Sequence, residues 1–406
     1  MGFQQGLSGL NAASRNLDVI GTNVANSGTV GFKASRTEFA DMFANSMSGA
    51  GGLAAGIGVN VGAIAQQFTQ GGITTTNNPL DIAINGQGFF RLSTNGAVTY
   101  SRNGQFKMDN QGYIVNNQGA RLTGFPADAT GQINTGGARE LRLDTSDVAP
   151  RASTEVGVAA NLDARNTPPV GAFDVNDPTT YNSATSLTVY DSLGNAQTLS
   201  LYYRKTANNS WDVYAAANGA TIGATRAGNV SFNSDGSFNA AGSSNPMSIA
   251  IPVTGGAATP LTVSVDQAQL TQFGNNFSVA QLSQDGYAAG RLAGFTIDNS
   301  GVILGRYTNG QTLAQGQVVL SNFTNAQGLV PVGGNAWVET TASGQPLTGA
   351  PNSGALGGLQ AGALEDSNVD LTGELVNMIT AQRMYQANAQ TVRTQDQVLQ
   401  TLVNLR

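Results

Sequence analysis

The feature that most constrains the fold is a pair of apolar repeats, one at each end of the chain. Near the N-terminus, apolar residues recur at spacings built from fours and threes, at Leu7, Leu10, Leu17 and Val24. Such spacings follow the buried seam of a coiled coil. The same alternation recurs near the C-terminus, at Leu371, Leu375, Met378, Tyr385, Val392, Leu399 and Val403. We therefore expect a helix at each end, with these residues forming an assembly interface.

The N-terminal helix is expected to be weak in isolation. An ordinary amphipathic helix packed on its own domain would explain either repeat taken alone. Both repeats, however, lie at the termini, where chains usually fray. The first also contains Gly6, Gly9 and Gly21, and each glycine inside a helix costs about 1 kcal/mol relative to alanine. We expect this helix to need a partner, either the other terminus or another copy of the chain.

The composition excludes most catalytic chemistry. The chain has neither His nor Cys, which removes Ser-His-Asp triads, thiolate catalysis and most transition-metal sites. Charged residues make up 11%, against roughly 25% in typical soluble proteins. The net charge is −6, without a basic block, which argues against nucleic-acid binding. We expect no enzymatic activity, no cofactor and no metal site, with a carboxylate-dependent glycosidase as an alternative.

The middle of the chain has the pattern of an all-β protein. Turn dipeptides such as Asn85-Gly86, Asn95-Gly96 and Asn103-Gly104 separate short apolar runs, as they do in β-hairpins. We therefore predict a mainly β fold with α-helical termini, in which the two terminal helices form a coiled-coil core and two β domains are nested between them. The predicted regions are a terminal helical assembly domain (1–35 and 366–406), a linker region (36–70 and 342–365), a first β domain (71–148 and 285–341) and an outer inserted β domain (149–284).

Two short motifs resemble ligand-binding loops but lack the required residues. Gly56–Gly62 does not have the Lys-Ser/Thr ending of a phosphate-binding loop, and a flexible linker is expected there. Asp366–Asp370 begins like a calcium loop, but Leu371 occupies the position that requires glycine. A helix cap is the better interpretation, with Ser367 and Asp370 fitting a capping box.

Several segments resemble the bacterial flagellar rod and hook protein family. The resemblance covers both ends of the chain and part of the middle. It is carried by Ser8–Ala13, Leu17–Asn26, Thr29–Lys33, Pro79–Ile84, Gly88–Phe90, Tyr100–Phe106, Ser367–Leu371 and Glu374–Arg383. Within the family, the chain length and an insertion that includes Val189–Gly194 are similar to the hook type, because rod-type members are shorter.

The resemblance implies a structural subunit that self-assembles into a curved, flexible helical tube. Such a tube acts as a universal joint between rod and filament and transmits motor torque. The implied partners are copies of the chain itself, the distal rod protein, the hook cap protein, the hook–filament junction protein and the flagellar export apparatus. A distal rod protein of the same family and a secreted β-rich adhesin remain alternatives.

The resemblance also implies an extracellular location in the flagellum. The N-terminus lacks the basic and apolar regions of a secretory signal peptide, so we expect export without a cleavable signal. Phe39 and Phe43 are similar to the Phe-x-x-x-apolar motif read by the flagellar type III export gate. A buried amphipathic turn explains the same two residues almost as well.

Overall fold

The computed structural model describes residues 2–42, 58–223 and 225–404. Two long helices are present, α1 (Gly2–Ala25) and α2 (Leu371–Asn404). The first strands are β1 (Ser35–Met42), β2 (Gly58–Gln66), β3 (Ile73–Thr75), β4 (Ile82–Asn85), β5 (Phe89–Thr94), β6 (Ala97–Ser101), β7 (Lys107–Met108), β8 (Ile114–Val115), β9 (Arg121–Pro126) and β10 (Arg139–Glu140).

The remaining strands follow in chain order, with short 3-10 helices at Pro178–Thr180, Ala240–Gly242 and Ala326–Gly328. They are β11 (Glu155–Asp163), β12 (Ser183–Tyr190), β13 (Ala196–Ala207), β14 (Ser210–Ala217), β15 (Ala220–Thr221), β16 (Gly228–Ser231), β17 (Met247–Ile251), β18 (Leu261–Asp266), β19 (Thr271–Phe273), β20 (Ser278–Gln284), β21 (Leu292–Ile297), β22 (Val302–Tyr307), β23 (Thr312–Val318), β24 (Leu320–Asn322), β25 (Val330–Gly333), β26 (Ala336–Val338), β27 (Leu347–Gly349), β28 (Gly358–Ala361) and β29 (Ala363–Glu365). The prediction of a mainly β chain with a helix at each end is confirmed.

The chain forms two compact units. The first contains residues 1–145, 294–306 and 312–406, and the second contains residues 146–293 and 307–311. Both terminal helices and the strands from β3 to β10 belong to the first unit. The second unit extends slightly beyond the predicted range 149–284.

The first unit is built on a large, largely antiparallel sheet. Its main path runs β21-β22-β23-β9-β5-β6-β26-β25. Two small pairs, β28 with β4 and β29 with β3, join C-terminal segments to N-terminal ones. The principal core includes the buried residues Phe90, Leu92, Ile114, Leu122 and Ile303. A second core contains Phe89, Tyr100 and Trp337, with Phe68 packed against it.

The second unit contains two sheets around a single core. In one sheet β11 pairs in parallel with β18 near its start and with β19 near its end, and it pairs antiparallel with β20. The other sheet is the antiparallel series β12-β13-β14-β15, with β16 paired to β14. Strand β13 alternates in burial, with Leu199, Leu201 and Tyr203 completely buried. This period of two is expected of a strand with one face on a core.

Two described parts of the predicted linker region 36–70 form strands. Within 36–70, β1 and β2 pair as an antiparallel hairpin that starts with Ser35 opposite Gln66 and has a bulge between Glu38 and Phe39. The Gly56–Gly62 segment was expected to be a flexible linker, but β2 begins at Gly58. For residues 58–62 the linker interpretation is therefore wrong, because their backbone groups pair with β1; residues 56 and 57 lie outside the described residues.

The cap of α2 differs in detail from the predicted capping box. Helix α2 begins at Leu371, so Asp370 is its N-cap residue. The Asp370 side chain accepts a hydrogen bond from the Thr372 backbone N–H at 3.1 Å. Ser367 instead accepts one from Val369, before the helix starts. Neither of the two described helices is long and apolar enough to cross a membrane.

Candidate functional site

The two terminal helices pack against each other through small residues. Gly6 and Gly9 of α1 lie against Val392 and Asn388 of α2, so closely that a Cβ on either glycine would come within 2.8 Å of a side-chain atom of α2. Among the described side chains of α2, Ala381 is the apolar one that is buried. At this contact, glycines of α1 allow side chains of α2 to lie directly against the α1 backbone.

The predicted interface residues are largely left on the surface. Leu10, Leu17, Val24, Met378 and Val392 are half-buried. The exposed fraction is between 43% and 49% for Leu7, Leu371, Leu375, Tyr385 and Leu399. The Val403 side chain lies outside the described residues. The structure thus brings only part of the predicted set, including Val392, into the helix pair.

Further exposed apolar side chains were not part of the predicted set. They lie on α2 at Val376, Ile379, Met384 and Val398, and on α1 at Phe3. Phe3 lies at the start of the N-terminal apolar repeat, whereas sequence reasoning missed the four residues of α2 because a strict heptad selects one seam and apolar residues extend around more of the α2 surface. Exposed apolar surface concentrated in one region of a protein marks an interaction site.

A groove of about 460 Å³ lies where α1, α2 and the β1–β2 hairpin meet. Its lining includes Ala12 and Ala13 of α1, Phe39 and Val59 of the hairpin, and Met384 of α2. The side-chain hydroxyl of Ser8 accepts a hydrogen bond from the Val59 backbone N–H at 3.3 Å, which ties the hairpin to α1. Of the two predicted export-motif residues, Phe39 is 47% exposed and Phe43 lies outside the described residues.

A buried ionic cluster lies where the helices join the β strands. The Glu365 carboxylate accepts hydrogen bonds from Lys33 Nζ at 2.6 Å and from Arg102 Nη1 at 3.0 Å. The side chains of Glu365 and Lys33 are completely buried, and that of Arg102 nearly so. Lys33 Nζ also donates to the Thr69 carbonyl at 2.7 Å, and Arg102 Nη2 donates to the Gly86 carbonyl at 2.7 Å. The cluster joins residues from the N-terminal segment, the β sheet and the C-terminal segment.

The electrostatics of the cluster follow from its burial. Burial lowers the pKa of Lys33, and the Glu365 carboxylate opposes that change because it stabilises the ammonium form. Burial lowers the pKa of Arg102 in the same way. Buried charges are tolerated only when they are paired and hydrogen-bonded, so Glu365 is required to compensate both cations.

Two asparagine side chains complete the junction. Asn23 Nδ2 donates to the Ser35 carbonyl at 2.8 Å and to Glu374 Oε1 at 2.9 Å. Asn368 Oδ1 accepts from the Ala34 backbone N–H at 2.7 Å, and its Nδ2 donates to the Gln67 carbonyl at 2.6 Å. These bonds hold the end of α1, the start of β1 and the approach to α2 together.

Two of the segments that carry the sequence resemblance, Thr29–Lys33 and Tyr100–Phe106, supply residues to this junction. Gly31 has a φ of +70°, and a Cβ there would lie 2.5 Å from the Asn103 backbone nitrogen. Lys33 and Arg102, one from each segment, both contact Glu365. Sequence reasoning missed this cluster because its members are separated by 263 and 332 residues. A lysine and an arginine inside otherwise weakly charged segments were the available signal.

The described residues contain no group of three or more acidic residues arranged to hold a metal ion. The exposed apolar surface of the helices and the buried ionic junction are the two features of the described residues that we consider further.

Four family models match successive parts of the chain. They are the flagella basal body rod protein (residues 3–33), the flagellar hook protein FlgE/F/G D1 domain (83–160), the flagellar basal body protein FlaE D2 domain (161–287) and the flagellar basal body rod FlgEFG protein C-terminal (360–405).

Relatives match over the full length. The chain is 44% identical to the flagellar hook protein FlgE of Salmonella typhimurium and 43% identical to that of Escherichia coli, with 100% of each chain covered. It is 34% identical to the flagellar hook protein FlgE of Borreliella burgdorferi, with 99% of this chain and 98% of the relative covered.

A solved structure agrees in fold. The crystal structure of Helicobacter pylori flagellar hook protein FlgE2 matches with a TM-score of 0.54 and 16% identity, and the match covers 72% of this chain and 99% of that chain. At this identity the likeness supports the fold alone.

Proposed function

This chain belongs to the flagellar hook protein family, and from that premise we propose that its copies meet through the exposed apolar side chains of α1 and α2. The protein is a structural subunit of the flagellar hook and assembles with copies of itself. The proposal concerns which residues make that assembly, namely the predicted set on the two helices.

The observation that carries the proposal is the exposure of large apolar side chains on both helices. Leu375 is 45% exposed and Leu399 is 49% exposed. Covering the remaining half of such a side chain contributes on the order of 1 kcal/mol, from the value for complete burial. Several contacts of this size along two helices would together stabilise a contact between copies, whereas a single copy leaves this surface in water.

The small-residue contact between α1 and α2 supports the same proposal. Because Gly6 and Gly9 bring the two helices close together, the pair is compact and its larger side chains remain available to neighbours. The half-buried Leu10, Leu17 and Val24 would become covered further when another copy docks, and Val403 is predicted to join them. Contacts of one copy's surface with a different surface of the next do not close, so they generate a helical polymer.

We further propose the finer aspects of the role. The tube would act as a universal joint that transmits torque, outside the cell, between the distal rod protein and the hook–filament junction protein, and it would grow beneath a hook cap protein. The export apparatus would pass the chain unfolded, with Phe39 and Phe43 as its recognition motif. The lack of cysteine suits this route, because no disulfide can form in an oxidising exterior.

Negative-stain electron microscopy of the purified chain tests the proposal. The full-length chain should form curved tubes, alone or after seeding, whereas a chain without residues 1–35 and 366–406 should remain a folded monomer. Straight, rigid tubes from the full-length chain would favour a rod role. Tubes formed equally well by the truncated chain would contradict assembly through the terminal helices.

A further inference from the structure

Glu365 is contributed by the last segment before α2, yet the charges it compensates lie far earlier in the chain. Lys33 precedes it by 332 residues and Arg102 by 263 residues. In the described part of the chain, Glu365 is the carboxylate that contacts both cations. Their other acceptors are neutral backbone carbonyls, including those of Thr69 and Gly86.

A chain that lacks this C-terminal segment therefore has two cations at the junction without an anion. Removing one partner of a buried ion pair is strongly destabilising, because the charge that remains is desolvated and uncompensated. Lys33 and Arg102 cannot both be buried as they are here until Glu365 arrives. The region would remain open and hydrated instead.

The same C-terminal segment also completes hydrogen bonds of the chain between α1 and β1 and of Gly71, between β2 and β3. The Gly31 N–H donates to the Glu365 carbonyl at 2.8 Å, and the Ala34 N–H donates to Asn368 Oδ1 at 2.7 Å. The Gly71 N–H donates to Glu365 Oε1 at 3.0 Å. The segment that sets the direction of α1 thus depends on residues supplied just before α2.

We propose that Glu365 is a completion latch, which closes the junction between α1 and the β strands only when the C-terminal segment has docked. Because Glu365 ends β29 and α2 begins shortly afterwards, at Leu371, the latch closes only in chains synthesised nearly as far as α2. An incomplete chain would not hold α1 in position for assembly. The inference rests on the proposed assembly through α1 and α2, and it adds a condition on when a subunit becomes competent.

The test uses the full-length chain with Glu365→Gln, which keeps the shape of the side chain and removes its charge. Glu38→Gln is the matched control, because Glu38 also pairs with an arginine, Arg36, but in an exposed position. Amide hydrogen exchange is measured at Gly31, Ala34 and Gly71, with the buried strand β13 of the second unit as internal reference. Incorporation of each variant into seeded polymers is measured by electron microscopy.

We expect Glu365→Gln to speed exchange at the junction by about 100-fold or more, from the usual cost of breaking a buried pair, and to prevent incorporation. Strand β13 should keep its protection, and Glu38→Gln should behave as the unaltered chain. Wild-type protection at the junction in Glu365→Gln, or normal incorporation of that variant, would overturn the latch.

A second variant separates charge compensation from packing. The double variant Lys33→Met/Glu365→Gln lacks one of the two cations that Glu365→Gln leaves uncompensated. We therefore expect amide exchange at the junction to be at least about tenfold slower in the double variant than in Glu365→Gln. A tenfold change in exchange rate corresponds to only about 1.4 kcal/mol. If the double variant exchanges as fast as the single one or faster, Glu365 acts through packing and the latch is rejected. If the unaltered chain does not polymerise, the assembly proposal fails, while the exchange measurements still decide the latch.

Discussion

Gly9 of α1 lies directly against the side-chain amide of Asn388 on α2, where a Cβ on the glycine would be 2.7 Å from Asn388 Oδ1. A real Cβ does not approach another heavy atom so closely, so any other residue at this position requires the Asn388 side chain to move or the two helices to separate. Gly9 therefore weakens α1 as an isolated helix, but it also lets α1 pack closely against α2.

This contact predicts opposite effects for two glycines of the same helix. Gly9→Leu should separate α1 from α2 and destabilise their packing by about 1–3 kcal/mol, the usual cost of overpacking. Gly21→Ala is the control, because among the described residues nothing lies within 4 Å of where its Cβ would be, and it should stabilise α1 by up to about 1 kcal/mol. Amide exchange along α1 measures both, and wild-type protection in Gly9→Leu would contradict the packing argument.

The exposed leucines of α2 should matter for assembly and not for folding. We expect Leu375→Asp and Leu399→Asp to abolish tubes, because a carboxylate would be buried between copies without a partner. The stability of the monomer should change by no more than about 0.5 kcal/mol, as at other surface sites. Val170→Asp is the control, since Val170 is 93% exposed in the second unit. Electron microscopy and calorimetry measure the two effects, and normal tubes from Leu375→Asp and Leu399→Asp would refute the interface.

Gly104 should be irreplaceable in the first unit. A Cβ at this position would lie 1.7 Å from the Ile82 carbonyl oxygen, and that backbone cannot move without disturbing the hydrogen bond from Ile82 N to Gly104 O at 3.0 Å. We expect Gly104→Ala to destabilise this unit by about 3 kcal/mol, at the upper end of overpacking costs. Gly137→Ala should be neutral, because no described atom lies within 4 Å of its Cβ position. Thermal unfolding compares the two variants, and equal stabilities would contradict the prediction.

Asp163 should make the second unit sensitive to acid. The Arg165 side chain, hydrogen-bonded to Asp163, lowers the pKa of this carboxyl group to about 2. In the unfolded chain the pKa of an aspartate is about 3.9. The stabilisation that the ionised Asp163 contributes is therefore fully present above the pKa of the unfolded state. It is lost as the pH falls through the pKa of the folded state. Titration of the Asp163 carboxyl by NMR should show its pKa rising in Arg165→Met, and an unchanged pKa would exclude the arginine as the main cause.

Local patterns were sufficient to predict the helical ends, the β middle and the family. The spacing of Leu371, Leu375 and Met378 indicates a helix because every third or fourth residue lies on one face. The alternation of Leu199, Leu201 and Tyr203 indicates a strand in the same way. These inferences need only neighbouring residues, so a single sequence contains all the information they use.

The contacts within the helix pair could not be read from that periodicity. The heptads correctly indicated helices, but periodicity cannot tell whether an apolar side chain faces its own chain, another copy or water. The structure places Gly6 and Gly9 in the helix pair and leaves Leu7 and Leu375 exposed. From the sequence, these glycines could be interpreted only as residues that lower helix stability. Whether a glycine allows two helices to approach closely depends on which residue of the other helix lies opposite it.

The sequence by itself determined the type of each main element, the absence of His and Cys chemistry and the family to which the chain belongs. Tertiary structure alone decided that Lys33 and Arg102 share Glu365, and that small residues join the helices. The reason is physical: propensity and periodicity act between residues close in the chain, whereas burial and charge compensation depend on distances in space. Lys33 and Glu365, 332 residues apart, become neighbours at 2.6 Å only in the folded protein.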